Sequence, residues 1–256
     1  MTSPLARALA DKLADLQQRD LPPIRVAVLD SGVDATHPDL TPFVDKAFGA
    51  NMVEGKCTIS EEEIPKNHDA FGHGTAVSSI IVKIAKNARI TDYRVLGKDN
   101  TGAGEALLSS LKHAIEADFP IINMSLAAKA DFGPRLQPLC DAAYRKGQSI
   151  VAAKRNMPLV DLGYPAELTP SVISVERDKF PTQLFVRYQA GNVIEFVGHG
   201  EDVVVDAPGC GGYTTKTGTS FATPAVSGII ALFLGAFPEL RPFEIKSLLR
   251  AIEATS

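Results

Sequence analysis

The chain has no tryptophan, only three cysteines among its 256 residues, and no apolar run approaching the ~20 residues that span a bilayer. Each scarcity excludes something. Cys57, Cys140 and Cys210 form no CxxC, no metal-like spacing and no paired framework, so neither a disulfide scaffold nor a cysteine-held zinc site is expected. Free thiols, buried or half-buried, fit a reducing compartment better than secretion, and the glycines around Cys210 give it a loop-packing role. A net charge of −4 gives no reason to expect nucleic acid or an anionic membrane as partner. The opening Met1-Thr2-Ser3-Pro4 lacks the basic and apolar regions of a signal peptide. There is no internal repeat and no low-complexity stretch.

What is present is 45% hydrophobic residues in a length that one large core can organise, so one domain over 1–256 is the natural count. Leu5, Leu9, Leu13 and Leu16 recur at helical spacing, which gives an N-terminal amphipathic helix. Apolar segments Ile24–Asp30, Ile90–Val95, Ile121–Ser125 and Ile150–Ala153 read as parallel strands. Helices are expected over His73–Lys86, Glu105–Ala117 and Arg135–Lys146. That alternation implies a three-layer α/β/α domain with a mainly parallel sheet. The strand-rich stretch from Val172 to Asp206 carries no helix and reads as antiparallel hairpins. Helices over Thr219–Leu234 and Arg241–Ala254 close the chain. The polar segment Glu54–Asn67, with Glu61-Glu62-Glu63, reads as a solvated surface loop.

Three segments carry chemistry. Gly218-Thr219-Ser220-Phe221-Ala222-Thr223-Pro224 sets a serine in the first turn of a small-residue helix, where backbone N–H groups and the positive dipole end lie close. A hydroxyl nucleophile needs such a donor-rich surrounding and a base beside it. Alone, the serine could be an ordinary N-cap. Val26-Ala27-Val28-Leu29-Asp30-Ser31-Gly32 reads as a buried strand carrying a carboxylate at its C-terminal edge, where open α/β sheets place their sites. His73-Gly74-Thr75 places an imidazole at a helix start beside small neighbours.

Taken in the order Asp…His…Ser, these segments resemble the subtilisin-like serine peptidases, the subtilases, whose chain order differs from those of the chymotrypsin and α/β-hydrolase arrangements. The resemblance runs from about Pro22 to the final helix and implies a subtilisin-like fold and a serine endopeptidase acting on peptides or proteins. It makes Ser220 the nucleophile, His73 the general base and Asp30 its orienting acid. Ser149-Ile150-Val151-Ala152-Ala153-Lys154-Arg155-Asn156 looks like the family strand whose asparagine donates to the oxyanion, so Asn156 is the fourth catalytic candidate.

The same resemblance assigns substrate-binding edges to Ser125-Leu126-Ala127 and Gly102-Ala103-Gly104, where small residues would let an extended peptide approach. It assigns the primary pocket to Ala152, Ala153, Lys154, Arg155 and a floor at Gly163, followed by a candidate cis Tyr164-Pro165 bond. Lys154-Arg155 replaces the family's Ala-Gly, and two cations there would favour acidic or small side chains, provided neither is turned to solvent. The link from the His73 helix to the next strand is too short for the family's calcium-binding loop. No cofactor is therefore expected: the strong calcium site is missing, Asp39 is left without co-ligands, and any calcium site would be a weaker one elsewhere. The residues before the first strand are too few for a folded inhibitory prosegment, which implies a processed or excised domain, or an enzyme that folds without one. Two rival readings share these residues: a catalytically degenerate subtilase that only binds peptides, and an esterase or peptide ligase using the same acyl-enzyme.

Overall fold

The structure is a computed structural model that describes residues 4–157, 161–209 and 211–252. After helix α1 (Pro4–Gln17) come strand β1 (Ile24–Asp30), the hairpin β2 (Val44–Val53) and β3 (Lys56–Glu62), helix α2 (His73–Ile84) and strand β4 (Ala88–Arg94). Helix α3 (Gly104–Glu116), strand β5 (Ile121–Met124), helix α4 (Gly133–Lys146) and strand β6 (Ser149–Ala153) follow. Strands β7 (Val172–Asp178), β8 (Val186–Tyr188), β9 (Phe196–His199), β10 (Val203–Ala207) and β11 (Gly212–Lys216) lead to helices α5 (Thr219–Ala236) and α6 (Pro242–Ala251).

Nine strands form one sheet in the order β3-β2-β4-β1-β5-β6-β7-β9-β8. Its interior pairings are parallel, and antiparallel pairing is confined to its two edges, β2 with β3 and β8 with β9. Strand β1 shows why the centre must be covered on both sides. Val26 and Val28 pack into one core with Ile80, Ile81, Ile229 and Leu249, whereas Ala27 and Leu29 join another with Leu111, Ile122 and Leu136. Side chains alternate along a strand, so a wholly apolar strand has two faces to bury. Helices α1, α2, α5 and α6 cover the first face, and α3 and α4 the second, giving a three-layer α/β/α architecture. One reading of the sequence, that no apolar run approaches a membrane span, is corrected at helix α5, which is long and apolar enough to cross a bilayer by length and composition; 89% of that apolar stretch is buried inside the protein.

Two further expectations are corrected. The segment read as a solvated loop from Glu54 to Asn67 contains β3, which pairs with β2 from Ala47↔Glu62 to Val53↔Lys56. Its alternation of half-buried and exposed residues is that of an edge strand with one wet face, which a polar composition conceals. Beyond Val172 the chain does not simply fold into hairpins: β7 continues the parallel sheet from β6 and pairs in parallel with β9. Only β8 with β9 and β10 with β11 are antiparallel there. Strand β4 ends at Arg94 and α2 at Ile84, slightly short of the spans expected.

Candidate active site

The C-terminal ends of three adjacent central strands build the site: Asp30 ends β1, Ser125 follows β5 and Asn156 follows β6. Helices α2 and α5 start beside them with His73 and Ser220 in their first turns. A buried hydrogen bond ties α5 to β5, Ser227 donating to Asn123 Oδ1 at 2.8 Å, and Asn123 Nδ2 in turn donates to Ser125 Oγ at 3.0 Å. Glycine is required at 74, because a Cβ there would stand 2.1 Å from the Gly32 carbonyl oxygen. That contact seats the start of α2 directly on the turn leaving β1.

His73 Nδ1 lies 2.7 Å from Asp30 Oδ1, which also accepts the Ser31 N–H at 2.7 Å. Asp30 is fully buried and the His73 side chain nearly so. Burial by itself pushes the imidazole pKa down, but the charge and hydrogen bond of Asp30, together with the charge of Asp69, outweigh it and leave the pKa above its ordinary 6.5. The Phe221 ring packs against the imidazole at 5.5 Å between centroids.

Ser220 Oγ donates to the Ser125 carbonyl at 3.0 Å, and His73 hydrogen-bonds to Asp30 instead of bridging both partners. A hydroxyl with an open carbonyl beside it takes that acceptor. Asn156 Oδ1 accepts the Thr219 N–H at 3.0 Å. That bond fixes which way the amide faces and leaves Nδ2 as the free donor, next to Gly218 at the start of α5. The Thr219 hydroxyl meanwhile donates to the Lys154 carbonyl at 2.7 Å, closing the corner between β6 and α5.

A cleft of about 670 Å³ opens in front of Ser220 and Asn156. Its walls include residues 102–104 and 125–127, Ala153, Lys154, Arg155 and Phe132. The structure thus gathers Gly102, Ala103, Gly104, Ser125, Leu126, Ala127, Ala153, Lys154, Arg155, Asn156 and Ser220 around one space. Two expected residues, Ala152 and Gly163, are not among its lining residues. Ala152 is enclosed within the sheet. Gly163, with φ of +94°, packs against Ala127, where a Cβ would come within 2.7 Å of the alanine methyl; the Tyr164-Pro165 bond after it is cis.

The two cations also differ from expectation. Lys154 is paired with Glu176, and Arg155 reaches Asp161 at 3.0 Å and the Ala128 carbonyl at 2.9 Å. Each already has a carboxylate partner, so the charge left to attract an acidic side chain is small. Asp39 is likewise not isolated: it accepts the Tyr213 hydroxyl at 2.8 Å and stands near His37 and Asp206. Asp206 is itself paired with the Lys83 ammonium.

Sequence reasoning passed over Asp69, which accepts from Ser31 Oγ at 2.7 Å, Gly72 N–H at 2.6 Å and Thr75 N–H at 2.8 Å. An Asp placed four residues before a helix-starting histidine is the pattern that could have found it, since such a carboxylate can collect the free N–H groups of the first turn.

This arrangement, an α/β sheet whose central strand tips converge on an Asp–His pair beside a helix-borne serine, defines a class of serine hydrolases. A family model described as the subtilase family matches residues 23–252. The chain is 33% identical over 223 residues to an intracellular serine protease of Paenibacillus polymyxa, covering 82% of this chain and 66% of that protein. It is 29% identical to a subtilisin of Bacillus pumilus, with 89% and 82% covered, and 29% identical to subtilisin E of Bacillus subtilis, with 89% and 60% covered. Among solved structures, sphericase superposes with a TM-score of 0.74 at 25% identity, over 93% of this chain and 86% of that one. The chain belongs to the subtilase family.

Proposed function

We propose that the chain hydrolyses peptide bonds within peptide or protein substrates through a Ser220 acyl-enzyme. The observation that carries this reading is the 2.7 Å contact between buried Asp30 and His73 beside the cleft that Ser220 lines. His73, neutral at its outer nitrogen, takes the Ser220 proton as the hydroxyl swings from the Ser125 carbonyl to attack the scissile carbonyl. Asp30 holds the ring in the tautomer that leaves that nitrogen free, and it stabilises the imidazolium that forms. The oxyanion is met by Asn156 Nδ2 and the Ser220 N–H, one of the unpaired donors at the start of α5. His73 then returns the proton to the departing amine, and water repeats the sequence on the acyl-enzyme. The substrate lies extended between residues 102–104 and 125–127.

Side chains carry every proton and charge in this scheme, so it is proposed to run without a cofactor. The strong calcium site is proposed to be missing because α2 runs unbroken from His73 and reaches β4 after only residues 85–87. A reducing compartment is the proposed setting, supported by unpaired Cys57 and Cys140 and by the similarity to the intracellular serine protease of Paenibacillus polymyxa. The test is labelling with a fluorophosphonate probe followed by peptide mapping. One adduct on Ser220, lost together with peptide cleavage in Ser220→Ala, is the expected result. A protein that binds peptides yet takes no label would be a binding module instead.

A further inference from the structure

Another pocket, of about 230 Å³, is walled in part by His73 and shares no lining residue with the main cleft. Its walls are Phe71, Gly72, His73, Pro208, Phe221 and Lys216, with Thr214 beside the lysine. Thr214 and Lys216 are two residues apart on β11, so the strand turns both toward the same face. Three observations set Lys216 apart. It is exposed and makes no ion pair among the described residues, unlike Lys154 and Arg155. Among the described residues, no carboxylate lines either cavity. Asp69, whose carboxylate bonds the backbone of Phe71 and Gly72 in the pocket wall, is turned into bonds with Ser31, Phe71, Gly72 and Thr75.

The chemistry of acyl transfer identifies which part of a substrate enters this pocket. The acyl portion stays on Ser220 in the cleft that holds Asn156 and residues 125–127. The departing amine must take its proton from His73, so the chain on that side leaves past the imidazole. The pocket walled by His73 itself, and not by Asn156, therefore receives the leaving-group residues. Phe71, Pro208 and Phe221 offer apolar walls to a short methylene stem, and Lys216 offers a lone ammonium at its end.

We propose that Lys216 selects substrates with an acidic residue, glutamate or aspartate, immediately after the cleaved bond. This rests on the peptidase reading above. Charge recognition, expected from the sequence at Lys154 and Arg155, passes to the opposite side of the scissile bond because those two cations already hold carboxylates.

The experiment uses three peptides with one acyl side and Glu, Ala or Lys directly after the scissile bond, cleaved by the whole chain. Wild type should favour Glu over Ala in kcat/KM by about fivefold, equal to about 1 kcal/mol at 1.4 kcal/mol per tenfold, and should cleave the Lys peptide least. The preference should shrink in high salt, as expected for an exposed charge. Lys216→Met should bring the Glu/Ala ratio to about one, and Lys216→Glu should invert it. Equal cleavage of the three by wild type, or a glutamate preference that survives Lys216→Glu, overturns the proposal. Fluorophosphonate labelling of the same wild-type sample separates the two levels. Labelled protein with equal cleavage defeats the Lys216 inference alone, and unlabelled, inactive protein defeats the peptidase reading and this inference with it.

Discussion

One oxygen of Asp30 serves both the His73 ring and the Ser31 N–H, and Ser31 Oγ passes the connection on to Asp69. Two carboxylates thus stand behind one imidazole, which explains why its pKa is raised although the ring is buried. Catalysis needs the neutral ring, so kcat/KM should fall as pH drops through a value above 6.5. Asp69→Asn removes one of the charges that raise the pKa, so the acid limb of the kcat/KM profile should move to lower pH. The variant should also melt earlier, because an amide cannot accept all the N–H and O–H groups the carboxylate now serves. A limb that stays in place while stability drops would reduce Asp69 to a helix cap. At Asn156 the fixed amide makes a different expectation. Asn156→Ala should lower kcat by about 100-fold or more, a magnitude known from subtilisin itself, while KM changes little. Steady-state kinetics on one peptide decides it, and a rise in KM at unchanged kcat would make the residue a binding group.

Among the elements, α2 and α5 matter most, because each begins with a catalytic candidate and their crossing fixes the distance between them. Gly228 allows that crossing: a Cβ there would lie 2.8 Å from both Cβ and Cγ2 of Ile84. Gly228→Ala would gain about 1 kcal/mol of helix propensity, yet the overlap should reverse the sign and destabilise by about 1–3 kcal/mol. Urea denaturation of the single variant and of Gly228→Ala with Ile84→Ala tests this, the second change relieving the overlap at the cost of a buried side chain. Additive losses would show that the two positions do not press on each other. The β2–β3 hairpin, by contrast, is an edge element with one wet face. Strand β3 carries no apolar run, which is why its sequence resembles a loop.

At the scale of the whole molecule, the calcium question and the legibility of the sequence have the same origin. The chelator EDTA should leave the melting temperature within a degree or two, because Asp39 is engaged by Tyr213 and Asp206 by Lys83, and no loop interrupts α2 to bring six to eight oxygens together. A large drop measured by calorimetry would reveal a bound ion that stabilises the fold. The sequence by itself determined the alternation of apolar strands and helices, hence the layered α/β class; local patterns of strand end and helix start offered Asp30, His73 and Ser220 as candidates, and the resemblance to the subtilases added Asn156. The sequence could not determine that β7 pairs in parallel with β9, that Arg155 turns to Asp161, that the Ser220 hydroxyl rests on the Ser125 carbonyl, or that Lys216 stands alone beside His73. Those are meetings of residues far apart in the chain, and only the packing of the sheet between its two helical layers decides which side chains meet.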